Sequence, residues 1–116
     1  MQPQEILEQC GHLEIKRKKK VTPDYVELVF FVRDTAAWMK LLSGIFGKAV
    51  KPTWQKPTGR DHQLTKEFGG IRTEQTLFMK DFSGYTVLAM VWPWKDKTLS
   101  TLKIPLIRTD EKAIIP

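Results

Sequence analysis

The sequence predicts an α+β fold: a mainly antiparallel sheet of roughly four to five strands, with one main amphipathic helix on one face and short extra helices. Three observations predict it. Tyr25 to Arg33 reads YVELVFFVR, a run dense in β-branched and aromatic residues and nearly apolar on both faces, as a central strand is. Trp38, Leu41, Leu42 and Ile45 then fall at i, i+3, i+4 and i+7, the stripe of a helix lying on a sheet. Finally, two apolar runs flank Asp81-Phe82-Ser83-Gly84, a hairpin turn whose glycine is free to take positive φ.

Taken in order, Pro3 to Cys10 predicts a short helix, with proline in the first turn and Gly11 as its stop. His12 to Val21 predicts a strand, because Leu13 and Ile15 alternate with Glu14 and Lys16. It runs into Lys16-Arg17-Lys18-Lys19-Lys20, charge on both faces, which marks an edge strand or hairpin arm. Thr22-Pro23-Asp24 supplies a turn before the central strand. Asp34 is placed to cap a helix over Thr35 to Phe46, and Gly47 to end it. Lys48 to Thr58 predicts a loop, and Gly59 to Phe68 a short helix ended by Gly69-Gly70. Thr73 to Lys80 and Tyr85 to Trp92 predict two strands, and Leu102 to Arg108 a last one. Pro105 cannot donate to a ladder, which predicts an edge position for that last strand.

A chain of 116 residues with 41% hydrophobic and 28% charged residues reads as one globular domain, residues 1–116. No apolar run approaches the roughly 20 residues of a membrane-spanning helix. The first ten residues hold two glutamates and no basic residue, the wrong pattern for a secretory signal, so the expectation is a cytoplasmic protein with no membrane partner. One cysteine and two histidines exclude an internal disulfide and a site built on Cys pairs or a His cluster. Neither a Gly-rich phosphate loop, nor a serine elbow, nor a metal signature is present, so no catalytic residue and no cofactor is assigned. The net charge of +6 points instead to anionic partners: nucleic acid or an acidic protein.

Part of the pattern resembles a known family. LVFFVRD at Leu28 to Asp34, the Leu41-Leu42 pair, Phe46-Gly47, and KDFSGYTVLAMV at Lys80 to Val91 resemble a single βαβββ module of the vicinal oxygen chelate (glyoxalase/bleomycin-resistance) superfamily. The resemblance covers about half the chain. It implies a small-ligand site, or a degenerate enzyme relative, with a pocket between sheet and helix or at a dimer seam. Metal-binding members draw His, Gln or Glu from these strands. Here Leu88, with Val87 and Ala89 beside it, stands where the closing strand would supply Glu, and the first strand offers Glu27 alone. The resemblance therefore implies a metal-free module that pairs with a second copy.

Two clusters of basic residues are candidate polyanion-binding groups. Lys16, Arg17, Lys18, Lys19 and Lys20 form either a phosphate-binding arm or a solvated edge strand. Lys51, Lys56 and Arg60 surround Trp54, which either stacks a base or folds back to anchor its own loop. Trp92 and Trp94, two apart on a strand end, are either a recognition patch or a cap on the core. His62 beside Asp61, with Glu67 nearby, lacks a nucleophile partner and reads as surface. The expectation is a non-enzymatic binding protein for nucleic acid or another polyanion, the alternative being the small-ligand module. The aromatic surplus points to a homodimer.

Overall fold

The computed structural model describes residues 1–108; residues 109–116, which the single-domain reading includes, lie outside the described residues. Three helices, α1 (Pro3–Gln9), α2 (Thr35–Phe46) and α3 (Gly59–Thr65), accompany five strands: β1 (Arg17–Thr22), β2 (Tyr25–Phe31), β3 (Thr76–Phe82), β4 (Tyr85–Pro93) and β5 (Leu99–Arg108). The strands form one sheet in the order β1-β2-β5-β4-β3, and every neighbouring pair is antiparallel. The α+β prediction therefore holds. After β2 the chain crosses by α2 and α3 to the far edge, then returns as a β3-β4-β5 meander that ends against β2.

Side chains alternate between the two sheet faces. One face carries Val26, Leu28 and Phe30 from β2, Leu102 and Ile104 from β5, Val87, Ala89 and Val91 from β4, and Phe78 from β3. Against it pack Ile6 and Cys10 of the N-terminal segment and Trp38, Leu42 and Phe46 of α2. Trp38 meets Phe30 edge-on at 5.0 Å, the arrangement that ring quadrupoles favour. The row that α2 buries is thus Trp38-Leu42-Phe46. Leu41 and Ile45, expected in the stripe, are half-buried beside it and line a shallow groove of about 500 Å³ with His12 and Leu13.

The opposite face is roofed over only half its width. There Leu64 and Phe68, with Ile71, cover Leu77, Leu88 and Met90 of β3 and β4. A capping box makes α3 possible: Thr58 Oγ1 accepts from the Asp61 amide at 3.1 Å and Asp61 Oδ2 from the Thr58 amide at 2.8 Å. Asp61 is buried in this role, while His62 beside it is exposed. The roof ends at Phe68, stacked on Tyr25 with ring centroids 6.4 Å apart. Beyond it lies the face of β1, β2 and β5.

Three expectations are corrected. The first strand begins at Arg17, not His12, because Leu13 and Ile15 pack half-buried on the helix-side core and the ladder opens only where the Lys16 amide reaches the Val29 carbonyl at 2.9 Å. Asp34 makes no side-chain cap; a 3₁₀ turn over Val32–Asp34 leads into α2, and Thr35 Oγ1 donates to the Val32 carbonyl at 2.7 Å. Last, β5 is an interior strand despite Pro105. The proline faces Tyr25, the first residue of β2, and the β4–β5 pairing skips it, passing from Val87–Leu106 to Met90–Lys103. A proline at the end of one ladder and in a gap of the other leaves no donor missed.

Candidate functional site

β1 is the sheet edge that the lysine run predicted, and its side chains from Arg17 to Val21 are all exposed. Its register against β2 breaks once: Lys18 faces Leu28 and Lys20 faces Glu27, so Lys19 is an extra residue. Such a bulge re-aims side chains. Arg17 stands opposite Val29 and Lys20 opposite Glu27, both on the roofless face, while Lys18 pairs with Leu28 toward the helix side. Lys19 reaches across that face to the Trp94 ring, its ammonium 5.8 Å from the centroid.

The same relation repeats along the face. Lys16 lies 5.9 Å from the Phe31 ring centre, and the Arg33 guanidinium 4.3 Å from it. Lys20 lies 5.5 Å from Tyr25, and Lys103 3.6 Å from Trp92. Four aromatic rings thus each carry at least one cation. Trp92 faces Thr101 across the β4–β5 ladder, and Trp94 donates from its indole nitrogen to Thr101 Oγ1 at 2.8 Å. The two tryptophans therefore share one face, with Trp92 half-buried and Trp94 38% exposed.

Lys103 and Glu27 occupy the centre. They are cross-strand partners, and Glu27 faces Lys20 on its other side, giving a row Lys20–Glu27–Lys103 across three strands. Lys103 donates to the Phe68 carbonyl at 2.9 Å. Burial pulls its ammonium below the ordinary lysine range; Glu27 opposes that and Lys19 adds to it. The Tyr25 hydroxyl donates to Glu27 Oε1 at 2.7 Å. Burial, then that bond and the charge of Glu27, push the phenol well above its usual range, so it stays a donor at neutral pH. Gly69 holds this corner open: at φ 102° a side chain there is strained, and a Cβ would overlap the Trp92 ring. Together Lys20, Asp24, Tyr25, Glu27, Phe68 and Lys103 line much of a groove of about 550 Å³.

The second basic cluster lies at the opposite edge. Lys51 bridges to Leu77 on the free side of β3, and β3 itself lies four strand spacings, or roughly 19 Å, from the lysine run on β1. The two clusters are separate. Within the second, Lys51 is corrected outright: it is 0% exposed and has no surface left to offer a polyanion. Its ammonium donates to the carbonyls of Pro52 at 2.8 Å and Thr73 at 2.9 Å, and to that of Gln75. Burial pulls Lys51 down, and Asp61 and Glu74 hold it up. Lys56 and Arg60 are exposed. Trp54 is 75% exposed at φ 70°, its amide donating to the Thr73 carbonyl at 2.7 Å, so it does not fold back on its loop.

Sequence reasoning missed Tyr25, Glu27, Phe31 and Lys103 as parts of one surface. The available signals were Glu27 and Lys103, each a charge inside a largely apolar strand. Among the described residues, no three His, Cys, Asp or Glu side chains gather as a metal site needs. No helix there is long and apolar enough to cross a membrane. Comparison with known protein families, curated proteins and solved structures finds no match.

Proposed function

We propose that the protein binds single-stranded nucleic acid across the face of β1, β2 and β5. The observation that carries this reading is the set of four aromatic rings on that face, each with a lysine or arginine over it. Unpaired bases stack on accessible rings at about 1–3 kcal/mol each, whatever their sequence, and ammonium groups beside the rings hold the phosphates; Trp94 is exposed here and Tyr25, Phe31 and Trp92 are half-buried. A duplex hides its base faces and gains from the charge alone. Lys16, Arg17, Lys19 and Lys20 supply the four phosphate contacts, and Trp92, Trp94, Tyr25 and Phe31 the platforms.

The test is fluorescence anisotropy with labelled oligonucleotides over a salt series. Four phosphate contacts predict that log affinity falls with log salt at a slope near about −3, since single strands give roughly −0.7 per contact. Replacing Lys16, Lys19 and Lys20 with Gln should lower that slope by about two. Replacing Lys48 and Lys56, at the far edge, should leave it unchanged. Absence of binding to any single strand at low salt overturns the proposal, and tighter binding to a duplex of equal charge removes the role of the rings.

A second reading, the small-ligand module implied by the vicinal oxygen chelate resemblance, has two supports. The β2-α2-β3-β4-β5 segment runs in βαβββ order with α3 inserted, and the groove beside Glu27 is of ligand size. Its mixed lining, with Lys20 and Lys103 against Asp24, Glu27 and Glu67, suits a zwitterion better than a simple anion. A thermal shift with small ligands but none with oligonucleotides would favour it. A mass of two chains by light scattering, the expected homodimer, would add the seam that reading needs.

A further inference from the structure

Glu27 is an acid at the centre of a basic surface, and for a protein that only holds phosphates it is a liability. Its carboxylate stands between Lys20 on β1 and Lys103 on β5, opposite both in register. Among the described residues neither lysine comes within 4.0 Å of it as an ion pair. Its one recorded side-chain partner is the Tyr25 hydroxyl, which occupies one lone pair of Oε1. A carboxylate has about four such acceptor positions, so most of its capacity is unspent. The group is half-buried and lines the groove, with Tyr25 and Phe68 as aromatic walls.

This arrangement divides labour by charge. A phosphate is driven from Glu27 and drawn to the ammonium on either side. What a carboxylate accepts in such a place is an N–H, and on a stacked base the N–H groups lie on the Watson–Crick edge. Cytosine, adenine and guanine carry an exocyclic amino group there, whereas the one N–H of uracil or thymine on that edge, at N3, is flanked on both sides by carbonyl oxygens, which a carboxylate repels. Acidic side chains accept from the cytosine amine in this way. Resting on the single-strand reading above, we infer that Glu27 is a specificity-determining residue: it favours a base with an exocyclic amine at the groove and rejects uracil or thymine. Tyr25 is its positioning residue, fixing one carboxylate oxygen by a 2.7 Å hydrogen bond.

The experiment compares oligo(dC) with oligo(dU) of equal length, which share charge and ring size and differ at the edge that Glu27 would read. Wild-type protein should bind oligo(dC) at least about five-fold tighter, the low end of discrimination by one good base contact. Glu27→Gln removes the negative charge but keeps the shape and an acceptor oxygen. It should tighten binding to oligo(dU) and close the gap between the two. An equal rise in affinity for both, with the ratio intact, would mean that Glu27 acts only on phosphates and would overturn the inference. Equal wild-type binding of both oligonucleotides overturns it with no variant needed, and leaves the single-strand reading standing. Binding of neither removes both.

Discussion

Lys51 offers the sharpest test of the fold's internal logic, through Lys51→Met. The side chain is 0% exposed, and its ammonium gathers three backbone carbonyls, Pro52, Thr73 and Gln75, from two separate segments. It acts as a bound cation would, tying loop 52–58 to the 73–75 turn beside β3. Methionine matches its length and deletes the donor. A hydrogen bond to a charged group is worth about 1.5–3 kcal/mol net, and a buried acceptor stripped of its partner costs about 1–3 kcal/mol. Against three lost bonds stands the desolvation that the ammonium no longer suffers, the force that pulls its pKa down. We expect a net loss of about 3–5 kcal/mol, since three charge-assisted bonds of about 1.5–3 kcal/mol each are lost and the relieved desolvation offsets part of that. At roughly 4–8 °C per kcal/mol for a domain near this size, the melting temperature should fall by about 12 °C or more. Urea denaturation is the assay, with an unchanged m-value showing that the same surface unfolds. A loss below about 1 kcal/mol would show that the carbonyls find water and that Lys51 is a surface lysine after all.

Two further outcomes follow from buried contacts. Gly69→Ala places a Cβ on Trp92 and 3.3 Å from the Lys103 ammonium at a φ of 102°, so it should cost about 2–4 kcal/mol and weaken oligonucleotide binding together, both read by titration of the purified variant. Burial pushes the Cys10 thiol up to about 11 from 9.0. Neutral thiol is favoured inside, so this share of stability is complete below about pH 9 and is lost as pH rises through 11. Urea midpoints should fall over that window in wild type and fall less in Cys10→Ala; equal falls would refute the assignment. At neutral pH the same thiol should react with a disulfide reagent only at the rate of opening.

The elements were legible where one pattern dominated. Tyr25 to Phe31 is β-branched or aromatic at five of its seven positions, and no competing helix period exists there. Thr35 to Phe46 reads as an amphipathic helix, though Phe46 rather than Leu41 completes the buried row, because its apolar face holds two adjoining rows and only packing chooses between them. Pro105 misled for a physical reason: the rule against interior prolines is about a missing donor, and a gap in pairing makes the donor unnecessary. Lys51 was illegible. Nothing in AVKPTW distinguishes a lysine in solvent from one folded inward on carbonyls that arrive from residues 73 and 75. The site was half legible for the same reason. A run of five basic residues announces itself, but the rings beside it come from β2, from β4 and from Trp94 just after β4, and meet only through the register.

The lysines of β1 have a simpler explanation, protection of a bare sheet edge, and the bulge weighs against it as the whole account. Edge protection asks only that charge be present along the strand; alternating lysines on both faces would serve. With Lys19 as the extra residue, Arg17, Lys19 and Lys20 address one face, and three of the cations there sit over rings rather than in open water. Each exposed cation–π contact is worth about 0.5–1 kcal/mol, less than the roughly 1–3 kcal/mol of a base stacked on the same ring. On the proposed single-strand reading, a base would displace the lysine from the ring and the freed ammonium would meet a phosphate. On that reading the lysines lie over the rings when no strand is bound and would pair with its phosphates when one is. The cover and the binding group are then the same side chains, which is why removing Lys19 should both loosen nucleic acid and increase the exposure of Trp94.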